Sequence, residues 1–169
     1  MIFYRILTSD DLKVYKTIRL QSLLESPYSF SDSYDDMIDK DDCFYLNELD
    51  NSNFSFMIGA FNSDSELIGF VNFKRDYRTK ANHKGMIHRT YVHPDYRKQG
   101  IGVKLMHNVL EFARKIESLE QIHLWVLQPE NGTSNFYKKI GFRSQGTIVK
   151  RDLKIDNLYV DAEYMVLYF

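Results

Sequence analysis

The chain has 169 residues, a formal net charge of −1, and ordinary shares of hydrophobic (44%) and charged (27%) residues. This composition is typical of a globular domain, and the near-neutral charge argues against binding of nucleic acid over a wide basic surface. Cys43 is the lone cysteine, which excludes an intrachain disulfide and a thiolate metal site. No apolar run approaches the roughly 20 residues that cross a membrane, and no signal peptide is evident, so we expect a cytoplasmic protein without a membrane partner.

The first half of the chain is predicted to form four strands and at least one helix. Apolar runs bounded by turn residues predict strands at residues 2–6, 54–61, 66–75 and 85–92. After the first strand, Thr8 begins a helix with acids in its first turn, and Ser26-Pro27 ends that helix near Glu25. The acidic segment 31–53 is typical of one or two short surface helices.

The second half alternates helices with strands. Apolar residues on one face predict a long helix from Gly100 to about Ile116, packed on a sheet. A strand, a short helix that Gly141 ends, and two strand-like segments follow, at residues 121–127, 133–140, 147–155 and 163–169. No repeat or linker interrupts the chain, so we predict one domain over residues 1–169, built on a mixed, largely antiparallel α/β sheet.

The stretch YVHPDYRKQGIGVKL, residues 91–105, combines a strand end, two adjacent cations, two glycines and a helix start. Gly100 and Gly102 allow backbone to approach a ligand closely, because they carry no Cβ. The first four N–H groups of a helix lack intrahelical partners and lie at the positive end of its dipole, so they bind phosphate readily. Arg97 and Lys98 add positive charge, and the pattern therefore predicts a pyrophosphate site on backbone amides.

Three phosphate-binding motifs compete for this stretch. A P-loop needs Gly-Lys followed by Ser or Thr, whereas Val103-Lys104-Leu105 follows the second glycine here. A dinucleotide fingerprint needs a third glycine where Leu105 stands. The remaining pattern, Arg97-x-x-Gly100-x-Gly102 after YVHPDY, resembles the acetyl-CoA-binding signature of the GNAT superfamily of N-acetyltransferases.

This resemblance, which is good over about residues 54–145, implies an acetyl-CoA-dependent N-acetyltransferase acting on a primary amine of a small molecule, protein or peptide. It implies a GNAT-like, mostly antiparallel sheet of about seven strands flanked by helices, in which a splayed strand pair forms the cofactor site. The terminal segments would shape the acceptor pocket. The cofactor-binding residues implied by position are Tyr91, Val92, His93, Arg97, Lys98, Gln99, Gly100, Ile101, Gly102, Val103 and Asn131.

Asn131 departs from the family pattern by one position. The usual cofactor-contacting asparagine would fall on Glu130, and Asn131 follows it. Either the turn shifts by one residue and Asn131 makes the contact, or the contact is lost. A carboxylate facing an anionic cofactor would be unfavourable, which favours Asn131.

The segment VLQPENGTSNFYKKIGF resembles the family's second cofactor element and implies that Tyr137 is the general acid that protonates the leaving CoA thiolate. The base is less defined. An alkylammonium is neutral in about one molecule in a thousand at pH 7.4, a deficit of about 4 kcal/mol. Residues 84–92 contain no carboxylate, which leaves His88, sharing a strand face with Thr90, as a candidate. Asp161, Glu163 and water are its rivals, and no metal is predicted.

Two other functions stay open at this stage. A non-catalytic acyl-CoA-binding sensor or interaction domain on the same fold would explain the missing carboxylate. A nucleotide-binding protein would prefer ATP over CoA, although the Ser/Thr of a P-loop is missing. The long apolar C-terminal strand is also a candidate for pairing across a homodimer, if it exposes an edge.

Overall fold

The computed structural model describes residues 1–128 and 131–169. Its strands are β1 (Phe3–Ile6), β2 (Ser55–Phe61), β3 (Leu67–Arg75), β4 (Lys84–Val92), β5 (Gln121–Leu127), β6 (Arg143–Ile155) and β7 (Leu158–Tyr168). Its α-helices are α1 (Leu12–Glu25), α2 (Tyr34–Ile38), α3 (Asp42–Glu48), α4 (Ile101–Ala113) and α5 (Thr133–Ile140). No helix within these described ranges is long and apolar enough to cross a membrane.

The strands form a seven-stranded sheet in the order β1-β2-β3-β4-β5-β7-β6. Every neighbouring pair is antiparallel except β4 and β5, which run parallel. The predicted fold class, a mixed and mostly antiparallel sheet flanked by helices, is confirmed. The last two strands are longer than predicted, because β6 begins at Arg143 and β7 at Leu158.

The parallel pair β4 and β5 separates after a short paired stretch. Lys84 to Met86 pair with Gln121 to His123, and no further pairing joins the two strands. β4 nevertheless continues to Val92 and β5 to Leu127. Residues 87–92 and 124–127 therefore face each other across a gap, as the predicted splayed pair requires.

The two faces of the sheet carry separate cores. On one face, α4 buries Ile101, Leu105 and Val109 against the sheet in a cluster that also contains Ile87 of β4. On the other face, α1 contributes Tyr15 and the short helices contribute their own apolar residues to a second cluster, which contains Tyr91 of β4. Helical spacing of apolar residues produces both contacts, since one stripe of each helix meets the sheet.

A β-bulge in β4 shifts the side chains that follow it. Thr90 pairs with Val71 and His88 pairs with Asn72, so Arg89 is an extra residue without a partner on β3, and its φ is +46°. The prediction that His88 shares a face with Thr90 is therefore wrong. Simple alternation fails because the extra residue turns the strand over at that point.

The C-terminal strand has no free edge. β7 lies between β5 and β6 and pairs with both of them. The two edge strands of the sheet are β1 and β6, and the side chains of β6 are almost all exposed. The basis for predicting a homodimer through the C-terminal strand is therefore lost.

Candidate functional site

A cleft opens where β4 and β5 separate, and we call it the β4–β5 cleft. Its volume is about 630 Å³, within the usual range for small-molecule sites. The walls come from the separated parts of both strands, the turn before α4, and the first turns of α4 and α5. The shape follows from the backbone, because β4 and β5 stop pairing after Met86 and His123 and the glycine turn comes after the end of β4.

The glycine turn presents backbone to this cleft. Gly100 is the N-cap of α4 with φ +78°, and a Cβ built there would meet no protein atom within 4 Å. The first helical hydrogen bond runs from the Lys104 amide to the Gly100 carbonyl at 3.1 Å. The amides of residues 101–103 precede that bond, so they have no intrahelical acceptor and lie at the positive end of the helix. The turn is therefore suited to an anionic ligand.

The presence of a glycine at position 102 needs a different explanation from that of Gly100. A Cβ at this position would lie 3.5 Å from the Phe136 ring and 3.8 Å from Val92, which is ordinary contact. Local packing therefore does not require a glycine here. A close approach of a ligand to the backbone would explain why no side chain is present.

The two cations before the turn differ in how firmly they are held. The Arg97 Nε donates to the Val92 carbonyl at 2.8 Å and its Nη2 donates to Ser26 Oγ at 3.1 Å. Lys98 is exposed and has φ +60°. Arg97 thus ties the end of β4 to the end of α1, while its charge stays at the cleft.

Tyr137 lies on α5 at the inner end of the cleft, 8% exposed. Burial raises the pKa of its phenol, and the nearby Thr90 hydroxyl offsets this in part. The side chain is therefore protonated at neutral pH and can donate a proton into the cleft. Gly141, with φ +117°, ends α5, and the Phe142 amide donates to the Tyr137 carbonyl at 3.1 Å, which fixes the position of this residue.

All eleven residues implied by position, and Tyr137 with them, can be checked against the cleft. The residues that line it are Tyr91, Val92, Arg97, Lys98, Gly100, Ile101, Gly102, Val103, Asn131 and Tyr137. His93 and Gln99 do not line it; His93 accepts from the Asp95 amide at 3.4 Å and Gln99 donates to the Asp95 carbonyl at 3.2 Å. Glu130 lies outside the described residues, so its alternative with Asn131 is not decided.

The candidate bases lie in three different places. Asp161 accepts from Lys150 Nζ at 2.5 Å and from the Arg151 amide at 3.0 Å, and these contacts lower its pKa. Glu163 is buried beneath α5; burial raises its pKa, but hydrogen bonds from Ser134 and Ser144 lower it overall. Neither acid lines the cleft.

His88 lines a second cavity. This cavity, of about 420 Å³, lies on the α1 face of the sheet, and we call it the Arg19 cavity. Burial, followed by the charges of Arg89 and Lys74, lowers the pKa of His88 to about 4. His88 is therefore neutral at pH 7, and the same low pKa makes it a weak base.

The two cavities adjoin each other across the separated strands. Both are lined by Ser29, Ile87, Arg89, Trp125 and Leu127. The Arg19 cavity adds a charged cluster in which Arg19 Nη2 contacts Asp32 Oδ2 at 2.5 Å, and Arg89 Nη2 contacts Asp32 Oδ2 at 3.3 Å and Glu48 Oε1 at 2.7 Å. A ligand in this cavity would thus reach the inner end of the β4–β5 cleft.

Comparison with known proteins decides the family. Residues 17–142 match the model of the Acetyltransferase (GNAT) family. The chain belongs to that family. Membership supports acetyl transfer as its general reaction, and members of the GNAT family generally use acetyl-CoA.

Similar proteins carry related names. Proteins named as uncharacterised N-acetyltransferases are 36% identical over 62 residues in Methanocaldococcus jannaschii (37% of this chain, 27% of that protein) and 34% identical over 76 residues in Archaeoglobus fulgidus (44% and 51%). The matched part thus spans about a quarter and about half of those relatives.

Solved structures share the fold of this GNAT chain. An acetyltransferase of the GNAT family from Streptococcus pneumoniae aligns over 100% of both chains with a TM-score of 0.80 and 18% identity. Ribosomal-protein-alanine N-acetyltransferase from Brucella melitensis aligns over 99% of both with a TM-score of 0.82 and 16% identity. At these identities the likeness shows the fold alone.

Proposed function

We propose that the protein is an acetyl-CoA-dependent N-acetyltransferase that transfers the acetyl group to a primary amine of a small molecule, protein or peptide. The observation that carries this proposal is the β4–β5 cleft, which joins a gap between two strands to a glycine turn at a helix N-terminus. Family membership supports acetyl transfer in general, and the cleft supports acetyl-CoA as the donor.

The cleft offers suitable groups along its length. The amides of residues 101–103, with the charge of Arg97, would hold the pyrophosphate. The backbone of residues 87–92 and 124–127 has no strand partner across the gap, so it is free to hydrogen-bond with the amide groups of the pantetheine arm. Asn131 lines the same cleft and is the proposed contact from the α5 side.

The proposed reaction is a direct transfer. The amine nitrogen attacks the acetyl carbonyl carbon, the new C–N bond forms, and the C–S bond breaks. Tyr137 donates its phenolic proton to the departing thiolate, which its raised pKa allows because the phenol is protonated at neutral pH. The proton lost by the amine leaves separately.

The surroundings of the cleft lower the free-energy cost of having the bound amine in its neutral form. Arg89 lines both cavities, but its charge is paired with Asp32 and Glu48, so desolvation of the ammonium in the cleft is what lowers the pKa of a bound amine. We propose that water accepts the proton and that His88, with a pKa of about 4, contributes less than tenfold to turnover.

The alternative is a non-catalytic acyl-CoA-binding sensor, and one observation favours it: neither Asp161 nor Glu163 lines the β4–β5 cleft. The two functions differ in turnover. Purified protein is incubated with acetyl-CoA and a panel of primary amines, and release of the free CoA thiol is followed. Amine-dependent release supports the transferase, whereas binding of acetyl-CoA without release for any amine would establish the sensor.

A further inference from the structure

The Arg19 cavity is lined by two arginines whose donors are only partly used by the residues that the structure describes. Arg19 is fully buried, yet its Nε and Nη1 have no hydrogen-bond acceptor among the described residues, and neither has the buried Nε of Arg89. These three nitrogens belong to the guanidinium groups of the two arginines and together carry four N–H groups. Buried polar groups are nearly always paired, so unpaired charged donors beside a cavity need an explanation.

The carboxylates nearby occupy only one nitrogen of each arginine. Asp32 accepts from Nη2 of both Arg19 and Arg89, and Glu48 accepts from Nη2 of Arg89 and from the Tyr15 hydroxyl at 2.7 Å. The remaining donors on these guanidinium groups have no acceptor among the described residues, and a ligand that reaches them has to displace the atoms that now cover them. An oxyanion is the group whose geometry and charge suit these donors.

The rest of the lining is of mixed charge, because Asp32 and Asp152 also line the cavity, and the balance of charge at His88 is positive. Arg89 and Lys74 lower the pKa of His88 more than Asp32 raises it, so the charges around His88 have a net positive influence. A third cavity shares Met86 and His88 with the Arg19 cavity, and its lining has more cations than acids (Lys74, Arg75, Arg78 and Lys84 against Asp76). A ligand with an additional ammonium group would meet repulsion here, which argues against polyamines.

We infer that the acetyl acceptor is a primary amine that also carries a carboxylate or a related oxyanion, with the oxyanion bound by Arg19 and Arg89. The statement that the amine is acetylated rests on the proposed function, whereas binding of the oxyanion does not depend on turnover. The amine end lies toward Ile87 and Trp125, which the Arg19 cavity shares with the β4–β5 cleft. Phe30, Met86 and Leu127 add apolar surface to the lining of the cavity.

The test uses matched amines that differ only in the charged group. The first set is 4-aminobutyrate, n-butylamine and putrescine; the second is alanine and alaninamide; the third is 3-aminopropylphosphonate and n-propylamine. We expect kcat/KM to be at least tenfold higher for the anionic member of one or more sets, with the second and third sets separating carboxylate from phosphonate. Equal or lower values for every anionic member would overturn the inference and leave the acetyltransferase proposal intact.

Substitutions in the cavity should act in opposite directions. Arg19→Lys keeps the charge but removes Nε and Nη1 as donors, so the preference for the anionic member should fall about tenfold. Asp32→Asn removes a competing negative charge, so the preference should rise. Arg5→Lys alters an arginine–aspartate pair outside both cavities, with Arg5 Nη1 2.7 Å from Asp11, and should leave the preference unchanged.

A binding measurement separates this inference from the proposed function. Thermal stability of CoA-saturated protein is recorded with each anionic amine and with its neutral partner at equal concentration. We expect stabilisation by the anionic member alone, and its loss in Arg19→Lys. If Arg19→Lys does not fold, the rise in preference in Asp32→Asn still tests the inference. Stabilisation without any turnover would contradict the transferase and support the oxyanion site, whereas no stabilisation by any anionic member would overturn the site.

Discussion

The β4–β5 cleft and the Arg19 cavity share a wall but are built by different means. The cleft relies on backbone: a bulge, two strands whose mutual pairing stops after a short stretch, and a helix N-terminus after Gly100. The Arg19 cavity relies on side chains that meet across long distances in the sequence, with Arg19 and Arg89 joined through Asp32. A site made of backbone binds chemical groups that every acyl-CoA donor carries. A site made of side chains can change by substitution, so the acceptor that it binds can differ from one acetyltransferase to another.

This difference predicts which property of the protein a substitution at each site changes. Changes in the cleft should weaken binding of acetyl-CoA or slow transfer while leaving the fold stable. Changes around the charged cluster of the Arg19 cavity should alter stability and acceptor choice while leaving acetyl-CoA affinity nearly unchanged. The following predictions run from the largest expected effect to the smallest.

Gly100→Val should raise the Kd for acetyl-CoA at least a hundredfold, equivalent to about 2.7 kcal/mol. The side chain would project into the open space beside the turn, on a backbone whose φ of +78° a β-branched residue rarely adopts. Isothermal titration calorimetry provides the measurement. Gly146→Val is the matched control, because Gly146 has φ +73° and open space but lies on β6, away from the cleft. Equal loss in both variants would show that backbone strain, not the cleft, causes the effect.

Tyr137→Phe should lower kcat by roughly ten- to a thousandfold, because the thiolate loses its proton donor. The ring stays buried, so the Kd for acetyl-CoA should change less than threefold. Single-turnover kinetics isolate the chemical step. Tyr164→Phe, on β7 and outside both cavities, should leave kcat unchanged. An unaltered single-turnover rate in Tyr137→Phe would remove this residue from the mechanism.

Glu48→Gln should lower the free energy of unfolding by about 3 kcal/mol, because Arg89 and the Tyr15 hydroxyl lose a buried charged acceptor. Urea denaturation measures the change. Glu111→Gln, at an exposed position on α4, should shift the unfolding free energy by no more than about 0.5 kcal/mol. A change in acetyl-CoA affinity as large as the loss of stability would contradict the separation between the two sites.

His88→Gln should reduce the loss of stability in acid. The pKa of His88 is about 4 in the folded chain and near 6.5 in the unfolded chain, so the unfolded state binds more protons between these values. Stability therefore falls as pH decreases from 6.5 toward 4. Between pH 7 and pH 5 the wild-type chain should lose roughly 2 kcal/mol more than the variant. Equal losses of stability in the wild-type chain and the variant would contradict this prediction.

The sequence indicated the cleft better than the cavity, for a physical reason. The glycine turn, the strand before it and the amphipathic helix after it are contiguous, so their spacing alone specifies a helix N-terminus facing a strand end. Gly141 at the end of α5 is local in the same way. Local patterns of this kind determine the local backbone conformation, and most strand and helix positions could be predicted from them.

The features that sequence reasoning missed depend on contacts between distant residues. Arg19 and Asp32 are 13 residues apart, and Arg89 and Asp32 are 57 apart, so nothing in either segment identifies the partner. The bulge was missed because Arg89 is not a glycine, although its φ is positive, and alternation of side chains gives no sign of an extra residue. Trp125 and Phe136 also line the cleft, but their apolar character predicts a core position equally well.

The most direct test of the account is the thermal shift of the wild-type protein with acetyl-CoA, with ATP as the control ligand. At a ligand concentration of about 100 times Kd, binding should stabilise the fold by roughly 2.7 kcal/mol. For a chain of this size, that energy corresponds to a rise in Tm of several degrees, at roughly 2–4 °C per kcal/mol. The account predicts this rise with acetyl-CoA and a much smaller one with ATP. No rise at saturating acetyl-CoA, or an equal rise with both ligands, would contradict the assignment of the β4–β5 cleft.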